Sequence, residues 1–143
     1  MSTALNTGAP LRGSLDDPAR TTLLLAVLCA SSAAETTAEG SARRAAYRVT
    51  RHLLGGANRL GLAADQIAAA LGVRTDTVRT RSTEDGLVTA KEFAARAPIT
   101  ESTIATWQAH GWVNLDGPDT GGNIGYRASH LLDALLSHKD VEA

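Results

Sequence analysis

The stretch ADQIAAALGVRTDTVRTRS, from Ala64 to Ser82, joins an apolar helical pattern to a polar one through a single glycine. Its first half places three apolar residues on one helical face: Ile67, Ala68 and Leu71. Gly72 can adopt the left-handed backbone of a tight turn, and Val73 is expected to fill the angle between the helices. Val78 is the inward residue of the second helix. The pattern predicts two short helices packed across a turn, that is, a helix-turn-helix.

The second of these helices has a polar outer face. Four residues around Val78 are expected to project outward: Thr75, Asp76, Arg79 and Thr80. Such a face suits a helix that reads base edges in a major groove. The segment resembles the helix-turn-helix of sigma-factor region four and of response regulators, whose second helix often carries the pattern matched here by Thr77, Val78, Arg79 and Arg81. The resemblance implies DNA reading, with Arg79 as the best single candidate.

Positive charge is concentrated around this segment. The chain has a net charge of −1, yet residues 43–83 contain eight arginines and only two aspartates. Three of the arginines, Arg44, Arg48 and Arg51, form a stripe on a helix predicted from about Ala42 to Leu60. Together with Arg74 they are candidates to neutralise DNA phosphates, because a basic segment in a slightly acidic protein is typical of a nucleic-acid surface. A solvated charged face is the alternative.

A second pair of helices is indicated by VTAKEFAARAPITESTIATWQAHGWV, residues 88–113. Thr89 and Glu92 have the spacing of a capping box, and Thr100 can cap the next helix. The expected inward residues are Phe93, Ala94, Ala97, Ile99, Ile104 and Trp107. The following NLDGPDTGGNIGYRASHLLDALL, residues 114–136, predicts a glycine-rich hairpin and then an amphipathic helix with four inward leucines, Leu131, Leu132, Leu135 and Leu136.

This order of motifs resembles the winged-helix domain of MerR-type regulators and phage excisionases. The resemblance implies a recognition helix near Thr100–Ala109 and a wing near Asn114–Tyr126. The residues it implies for DNA contact are Ser102, Thr103, Thr106, Gln108 and Arg127. Pro98 replaces the usual turn glycine, and Ala105 and Thr106 stand where that family commonly has arginines. Since residues 84–143 are acidic, with nine acids against four bases, this part either contacts DNA or docks a protein.

The remaining chain predicts a flexible arm at residues 1–15 and a helix capped by Asp16 or Asp17. That helix is apolar on every side from Leu23 to Ala34, which favours burial, with Leu24 and Leu28 in the core or in a homodimer interface. The predicted fold is mainly all-α, with tandem helix-turn-helix units and a small β-hairpin in the second. The predicted divisions are the arm, a helical domain at residues 16–83 and a winged domain at residues 84–143.

Several functional classes receive no support from the sequence. The longest apolar run is too short to cross a bilayer, and Asp16 and Asp17 stand before it where a secretory signal would place basic residues. The single cysteine, Cys29, cannot form an internal disulfide, so the cytoplasm is the expected compartment. The four histidines are scattered, and no phosphate-binding loop or catalytic triad is recognisable. We therefore expect no enzymatic activity, no cofactor and no metal.

The function predicted from the sequence is sequence-specific binding of double-stranded DNA by a transcriptional regulator. Two alternatives stay open. One is a protein-interaction module built on helix-turn-helix scaffolds, in a sigma-like or anti-repressor role. The other is an excisionase-like recombination directionality factor. A dimer on a repeated site and a single chain gripping two adjacent grooves are equally compatible with the sequence.

Overall fold

A computed structural model describes residues 17–138, and the arm predicted at residues 1–15 lies outside them. The described chain is mainly helical, with a small two-stranded antiparallel sheet. The helices are α1 (Pro18–Thr37), α2 (Gly40–Arg59), α3 (Ala64–Leu71), α4 (Thr75–Arg81), α5 (Ala90–Ala94), α6 (Glu101–Ala109) and α7 (Ala128–His138). The strands are β1 (Leu87–Val88) and β2 (Tyr126–Arg127). None of the helices in this range is long and apolar enough to cross a membrane.

Helix α1 is the buried helix expected from its apolar composition. The Asp17 carboxylate accepts a hydrogen bond from the Ala19 N–H, and Pro18 occupies the first turn, where its missing N–H costs nothing. The helix continues to Thr37, three residues beyond the predicted end. Leu24 and Leu28 are fully buried, as predicted, and α1 packs against α2, α3 and α7 of the same chain. The single chain thus accounts for the burial that suggested a dimer, and the dimer itself stays a prediction.

Helix α2 packs through one apolar face, and at two glycines the backbone of another segment lies directly against it. Val49, Leu53 and Ala57, which follow one another at a spacing of four residues, are buried, whereas Ala42, in the first turn, is exposed. Gly55 lies against the Glu84 carbonyl, and a Cβ at that position would collide with it. Gly56 lies against the backbone of α7 in the same way, because the Ser129 nitrogen would be 2.7 Å from a Cβ there. These glycines let the segment after α4 and the start of α7 lie directly on α2.

Helices α3 and α4 meet across the turn predicted from Gly72, which has the left-handed φ of 71°. Ile67, Ala68 and Val78 are buried, as the pattern predicts. The role assigned to Val73 is wrong, because its side chain is 42% exposed. Its backbone closes the turn instead, since the Val73 N–H donates to the Ala68 carbonyl at 3.1 Å.

The C-terminal part contains the predicted caps but a different strand pairing. Thr89 and Glu92 form the capping box of α5, and the Thr100 side chain caps α6. The expected hairpin is reduced to one bridge, between Asp116 and Gly125. The two-stranded sheet instead joins β2 to β1, which precedes α5 in the chain. A glycine-rich local pattern indicates a turn, but it cannot reveal a strand partner about 40 residues away, since that pairing depends on tertiary packing.

One apolar cluster runs through both parts of the chain. It includes Leu24 of α1, Leu53 of α2, Phe93 of α5, Trp107 of α6 and Leu132 of α7, all of them fully buried. The prediction that Trp107 is a packing residue is confirmed. The four inward leucines of α7 are buried as well. Helix α7 makes its main contact with α2, so the residues after β1 fold onto the first helical pair.

Candidate nucleic-acid interface

The outer face of α4 carries the polar residues predicted to read bases. Asp76, Arg79 and Thr80 are exposed, whereas Thr75 is half-buried. The Arg79 guanidinium lies 3.5 Å from the Asp76 carboxylate, one turn earlier on the helix. This pair is open to solvent, with 68% of the Arg79 side chain exposed, so both groups can exchange their partner for a ligand at little cost.

The arginines predicted to contact phosphates fall into two groups, and those of the first have no internal partner in the described chain. Arg44 and Arg74 are exposed and make no ion pair or hydrogen bond with any residue in the range 17–138. Arg43, which the sequence analysis did not select, is free in the same sense. A guanidinium without an internal partner can bind a phosphate without first breaking a contact. Arg43, Arg44 and Arg74 are therefore cations that can bind an anion without losing an internal contact.

The second group, Arg48 and Arg51, forms ion pairs with other elements of the fold. Arg48 donates to the Glu92 carboxylate at 2.8 Å and to the Leu87 carbonyl at 3.0 Å, and only 23% of its side chain is exposed. Arg51 pairs with Glu84 at 3.2 Å. Both residues were candidates for phosphate contact because they share a helical stripe with Arg44. The structure brings β1, α5 and the preceding segment onto that stripe. Arg48 is thereby held in a half-buried pair, whereas 42% of the Arg51 side chain and 56% of the Glu84 side chain stay exposed.

Arg81 connects α4 to the first helical pair and supports an exposed tyrosine. Its guanidinium forms two hydrogen bonds with the Glu35 carboxylate, the shorter being 2.7 Å, and a third with the Tyr47 carbonyl at 3.2 Å. The same guanidinium lies over the Tyr47 ring, 3.9 Å from its centroid. Burial of the Arg81–Glu35 pair limits its movement, so the ring is held by a fixed cation.

Tyr47 separates two hollows on this surface. One has a volume of about 460 Å³ and is lined by Gly40, Arg43, Arg44, Tyr47, Arg48 and Arg51. The other has a volume of about 480 Å³ and is lined by Tyr47, Arg74, Asp76, Thr77, Thr80 and Arg81. The two hollows meet at Tyr47 and bring together six of the predicted residues: Arg44, Arg48, Arg51, Arg74, Asp76 and Thr80. Arg79 and Thr75 line neither hollow. We call the surface around the two hollows the arginine surface and define it by their linings.

The residues predicted on α6 lie apart from the arginine surface. Ser102 and Gln108 are exposed, and Thr103 and Thr106 are half-buried. Thr106 donates to the Ser102 carbonyl, and Gln108 accepts a short hydrogen bond from the Tyr126 hydroxyl. Desolvation raises the pKa of Tyr126, so this hydroxyl keeps its proton and remains a donor. Arg127 is turned toward the protein, where it donates to the Asp85 carbonyl at 3.1 Å and lies 3.7 Å from the Asp116 carboxylate.

The loop that follows α6, residues 114–125, is acidic and partly apolar. The Asp119 carboxylate accepts backbone hydrogen bonds from Asn123 and Gly121, which lower the pKa of Asp119 and keep it charged. Asp116 adds a second carboxylate, and the side chains of Leu115 and Ile124 are exposed. This loop therefore offers negative charge and apolar surface, which differs from the arginine surface in both respects.

A four-residue strap, Thr83–Gly86, fixes these two regions relative to each other. Asp85 accepts hydrogen bonds from the Ser129 N–H and hydroxyl at 2.8 and 2.6 Å. His52 of α2 is buried beside the strap, with its ring nitrogens 3.1 Å from the Leu87 carbonyl and 3.2 Å from the Glu84 carboxylate. Gly86 packs directly against that imidazole ring, which leaves no room for a side chain. The strap is thus held on both sides and is not a free linker.

Comparison of the chain with protein-family models, with curated proteins and with solved structures yields no match. The functional argument therefore depends on the surfaces themselves. Sequence reasoning missed Tyr47 and Arg43 within them. The available signal for Tyr47 was an aromatic residue inside an arginine run in a chain that contains few aromatics.

Proposed function

We propose that this protein binds double-stranded DNA in a sequence-specific manner and regulates transcription, with the arginine surface as its DNA-binding face. The observation that carries the proposal is that Arg43, Arg44 and Arg74 are exposed and without internal partners in the described chain, beside the polar outer face of α4. Free guanidinium groups next to a helix with exposed hydrogen-bonding side chains suit a ligand that presents phosphates and base edges together.

Each group has a distinct task in this proposal. Arg43, Arg44 and Arg74 contact phosphates and set the register of α4 on the duplex. Arg79 reads a guanine edge through two parallel hydrogen bonds, and Asp76 accepts from a cytosine amino group. The two short helices α3 and α4, joined through Gly72, act as the helix-turn-helix that the resemblance to sigma region four implies. Arg48, Arg51 and Arg81 also line this face, and their ion pairs with Glu92, Glu84 and Glu35 tie it to the rest of the molecule.

The test begins with selection of bound sequences from a random duplex pool and measurement of affinity for the best site at several salt concentrations. Each phosphate contact contributes about 0.9 to the slope of log affinity against log salt. The triple variant Arg43→Ala, Arg44→Ala, Arg74→Ala should therefore flatten the slope by up to roughly 2.7. Arg59→Ala is the control, since Arg59 is a 72% exposed arginine on α2 outside both hollows. Equal slopes for all three proteins would refute the proposal.

A second function, protein docking, is favoured for the C-terminal part by one observation. The loop at residues 114–125 exposes Leu115 and Ile124 beside Asp116 and Asp119, and Glu101 begins α6. Carboxylates repel phosphates, whereas exposed apolar side chains are typical of a protein-binding patch. This part of the molecule would then bind a partner protein while the arginine surface binds DNA.

Ser102→Glu separates docking from DNA contact at α6, because Ser102 is exposed on the helix that the MerR resemblance implies as the reader. A new carboxylate in a DNA groove should weaken duplex binding at least tenfold. If α6 docks a protein instead, the duplex affinity of Ser102→Glu should equal that of the unmodified protein. Circular dichroism confirms that the variant is folded.

A further inference from the structure

Tyr47 has a combination of features that duplex binding does not require. Its side chain lies in the middle of the arginine surface and is 48% exposed. The chain contains few aromatic residues, so an exposed ring is a notable use of one of them. One side of its ring is covered by the Arg81 guanidinium at 3.9 Å. Tyr47 also lines both hollows, so part of its surface is open to the space beside the α2 arginines.

The support beneath the ring is rigid. Arg81 is held by its ion pair with Glu35, in which both side chains are largely buried, and by its hydrogen bond to the Tyr47 carbonyl. The guanidinium therefore stays in place under the ring instead of turning toward solvent. A flat aromatic group that is already oriented loses little conformational entropy when another flat group stacks on it.

The charge around the ring selects an anionic ligand. Five of the six residues that line the hollow on α2 are arginine or tyrosine, and none is acidic. Arg43 and Arg44 are free of internal partners in residues 17–138, so two cations are available next to the ring. A volume of about 460 Å³ lies within the range of small-molecule sites, roughly 300–1,000 Å³, and is sufficient for one nucleotide.

We infer that the hollow between Tyr47 and the α2 arginines binds an unpaired nucleotide, with the base stacked on the Tyr47 ring and the phosphates held by Arg43 and Arg44. Stacking platforms bordered by cations are the general means by which proteins hold unpaired bases. An acidic peptide would use the guanidinium groups but would gain little from the fixed ring. The nucleotide comes either from a single strand or from a base displaced out of a duplex. The inference rests on the surface of the proposed function and shares Arg43 and Arg44 with it, but it adds Tyr47, on which base reading by α4 does not depend.

The test measures binding of the full-length protein to a labelled single strand of twelve thymidines and to the selected duplex. Tyr47→Leu removes the ring but keeps apolar bulk, and it should weaken single-strand binding by about 5- to 160-fold, since stacking contributes about 1–3 kcal/mol per base. Duplex affinity should change less than threefold. Tyr47→Phe retains the ring and should bind the single strand within about twofold of the unmodified protein. Arg59→Ala is again the matched control on α2.

A second readout locates the base. A strand with 2-aminopurine at one position should change its fluorescence on binding to the unmodified protein and to Tyr47→Phe, but not to Tyr47→Leu. The same probe is also placed in two duplexes, once as an unpaired bulge and once fully paired. A fluorescence change in a duplex probe indicates a displaced base, and a change in the single strand alone indicates a single-strand site. Melting temperatures of all variants show whether loss of the ring has disturbed Arg81.

Three results would overturn the inference. The first is equal single-strand affinity for Tyr47→Leu and the unmodified protein. The second is a loss for single strand and duplex in the same proportion, which indicates a packing or phosphate-positioning role. The third is binding of poly-glutamate that depends on Tyr47 while the single strand does not bind, which indicates an acidic protein partner. If Tyr47→Leu does not fold, the 2-aminopurine strand decides on the unmodified protein, because fluorescence that does not change on binding rejects stacking. Arg79→Ala separates the two proposals: it should weaken duplex binding and leave single-strand binding unchanged.

Discussion

Arg74 and Arg79 occupy different positions on α4, and their substitution should have different effects. Arg74 precedes the first residue of α4 and has no internal partner in the described chain, whereas Arg79 lies on the exposed face beside Asp76. A cation at the start of the helix is placed to contact phosphates, which are the same in every sequence. A side chain on the exposed face is placed to reach base edges, which differ from one sequence to another.

The first prediction compares Arg79→Ala with Arg74→Ala across single-base variants of the selected site. Arg79→Ala should cost about 1–3 kcal/mol on the best site and relax the preference at one base pair. Arg74→Ala should weaken all sequences alike and lower the salt slope by about one contact. Affinities at two salt concentrations measure both effects. If neither change alters duplex affinity, α4 is not the reader, and α6 or a protein partner takes that role.

The second prediction concerns Asp133, which is half-buried on α7 and accepts a hydrogen bond from Ser137. Burial raises the pKa of this carboxyl, while Ser137, His130 and His138 oppose the shift. The folded state therefore holds the proton to higher pH than the unfolded chain, and Asp133 costs stability as pH rises above its ordinary pKa of about 3.9. Asp133→Asn should raise the melting temperature at neutral pH, and the gain should vanish at acidic pH, where both states are protonated. A gain of equal size at every pH would contradict this.

The arginine stripe on α2 contains side chains in two different situations: one without an internal partner in the described chain and one in an ion pair. Arg44 and Arg48 are one turn apart on the same side of the helix, yet Arg44 is free in the described chain and Arg48 ties α2 to α5 and β1. The difference arises beyond the helix, because α5 carries Glu92 to the level of Arg48 but not to that of Arg44.

The third prediction uses these two arginines as a matched pair. Arg48→Ala leaves the half-buried Glu92 carboxylate without its main cation and the Leu87 carbonyl without its donor, so it should lower the free energy of unfolding by about 1–3 kcal/mol. Arg44→Ala should leave the free energy of unfolding within about 0.5 kcal/mol and weaken duplex binding instead. Urea denaturation and duplex titration of both variants check the pair. The reverse pattern would mean that Arg48, and not Arg44, contacts DNA.

The whole molecule is organised around one shared core. Residues of α1, α2, α5, α6 and α7 belong to the same apolar cluster, and the strap at Thr83–Gly86 is hydrogen-bonded to α7. Cooperative unfolding is expected where elements share buried surface, because none can leave without exposing the others. The division at residues 83 and 84 remains a prediction that unfolding can test.

The fourth prediction is therefore a single unfolding transition. Both tryptophans, Trp107 and Trp112, lie after residue 84, so their fluorescence reports the C-terminal part, while far-UV circular dichroism reports all helices. The two signals should have the same midpoint in urea. Separate midpoints would instead establish two independent domains at the predicted boundary.

Local patterns in the sequence determined much of the fold. The spacing of apolar residues predicted the buried positions Ile67, Val78, Trp107 and the leucines of α7, and the capping pair Thr89 and Glu92 marked the start of α5. Gly72 indicated the turn between α3 and α4. These features could be predicted because they depend on residues within about four positions of one another, where helical geometry leaves few alternatives.

Tertiary structure alone decided which charged and aromatic groups are available for function. Arg44, Arg48 and Arg51 are equivalent on a helical wheel, but Glu92 and Glu84 reach two of them and leave the third free. Packing of Arg81 likewise places a cation beneath Tyr47, and folding of the chain after α6 brings β2 to β1. Each of these contacts joins residues more than thirty positions apart. Their partners depend on how whole elements pack, and the local spacing of residues carries no record of that arrangement.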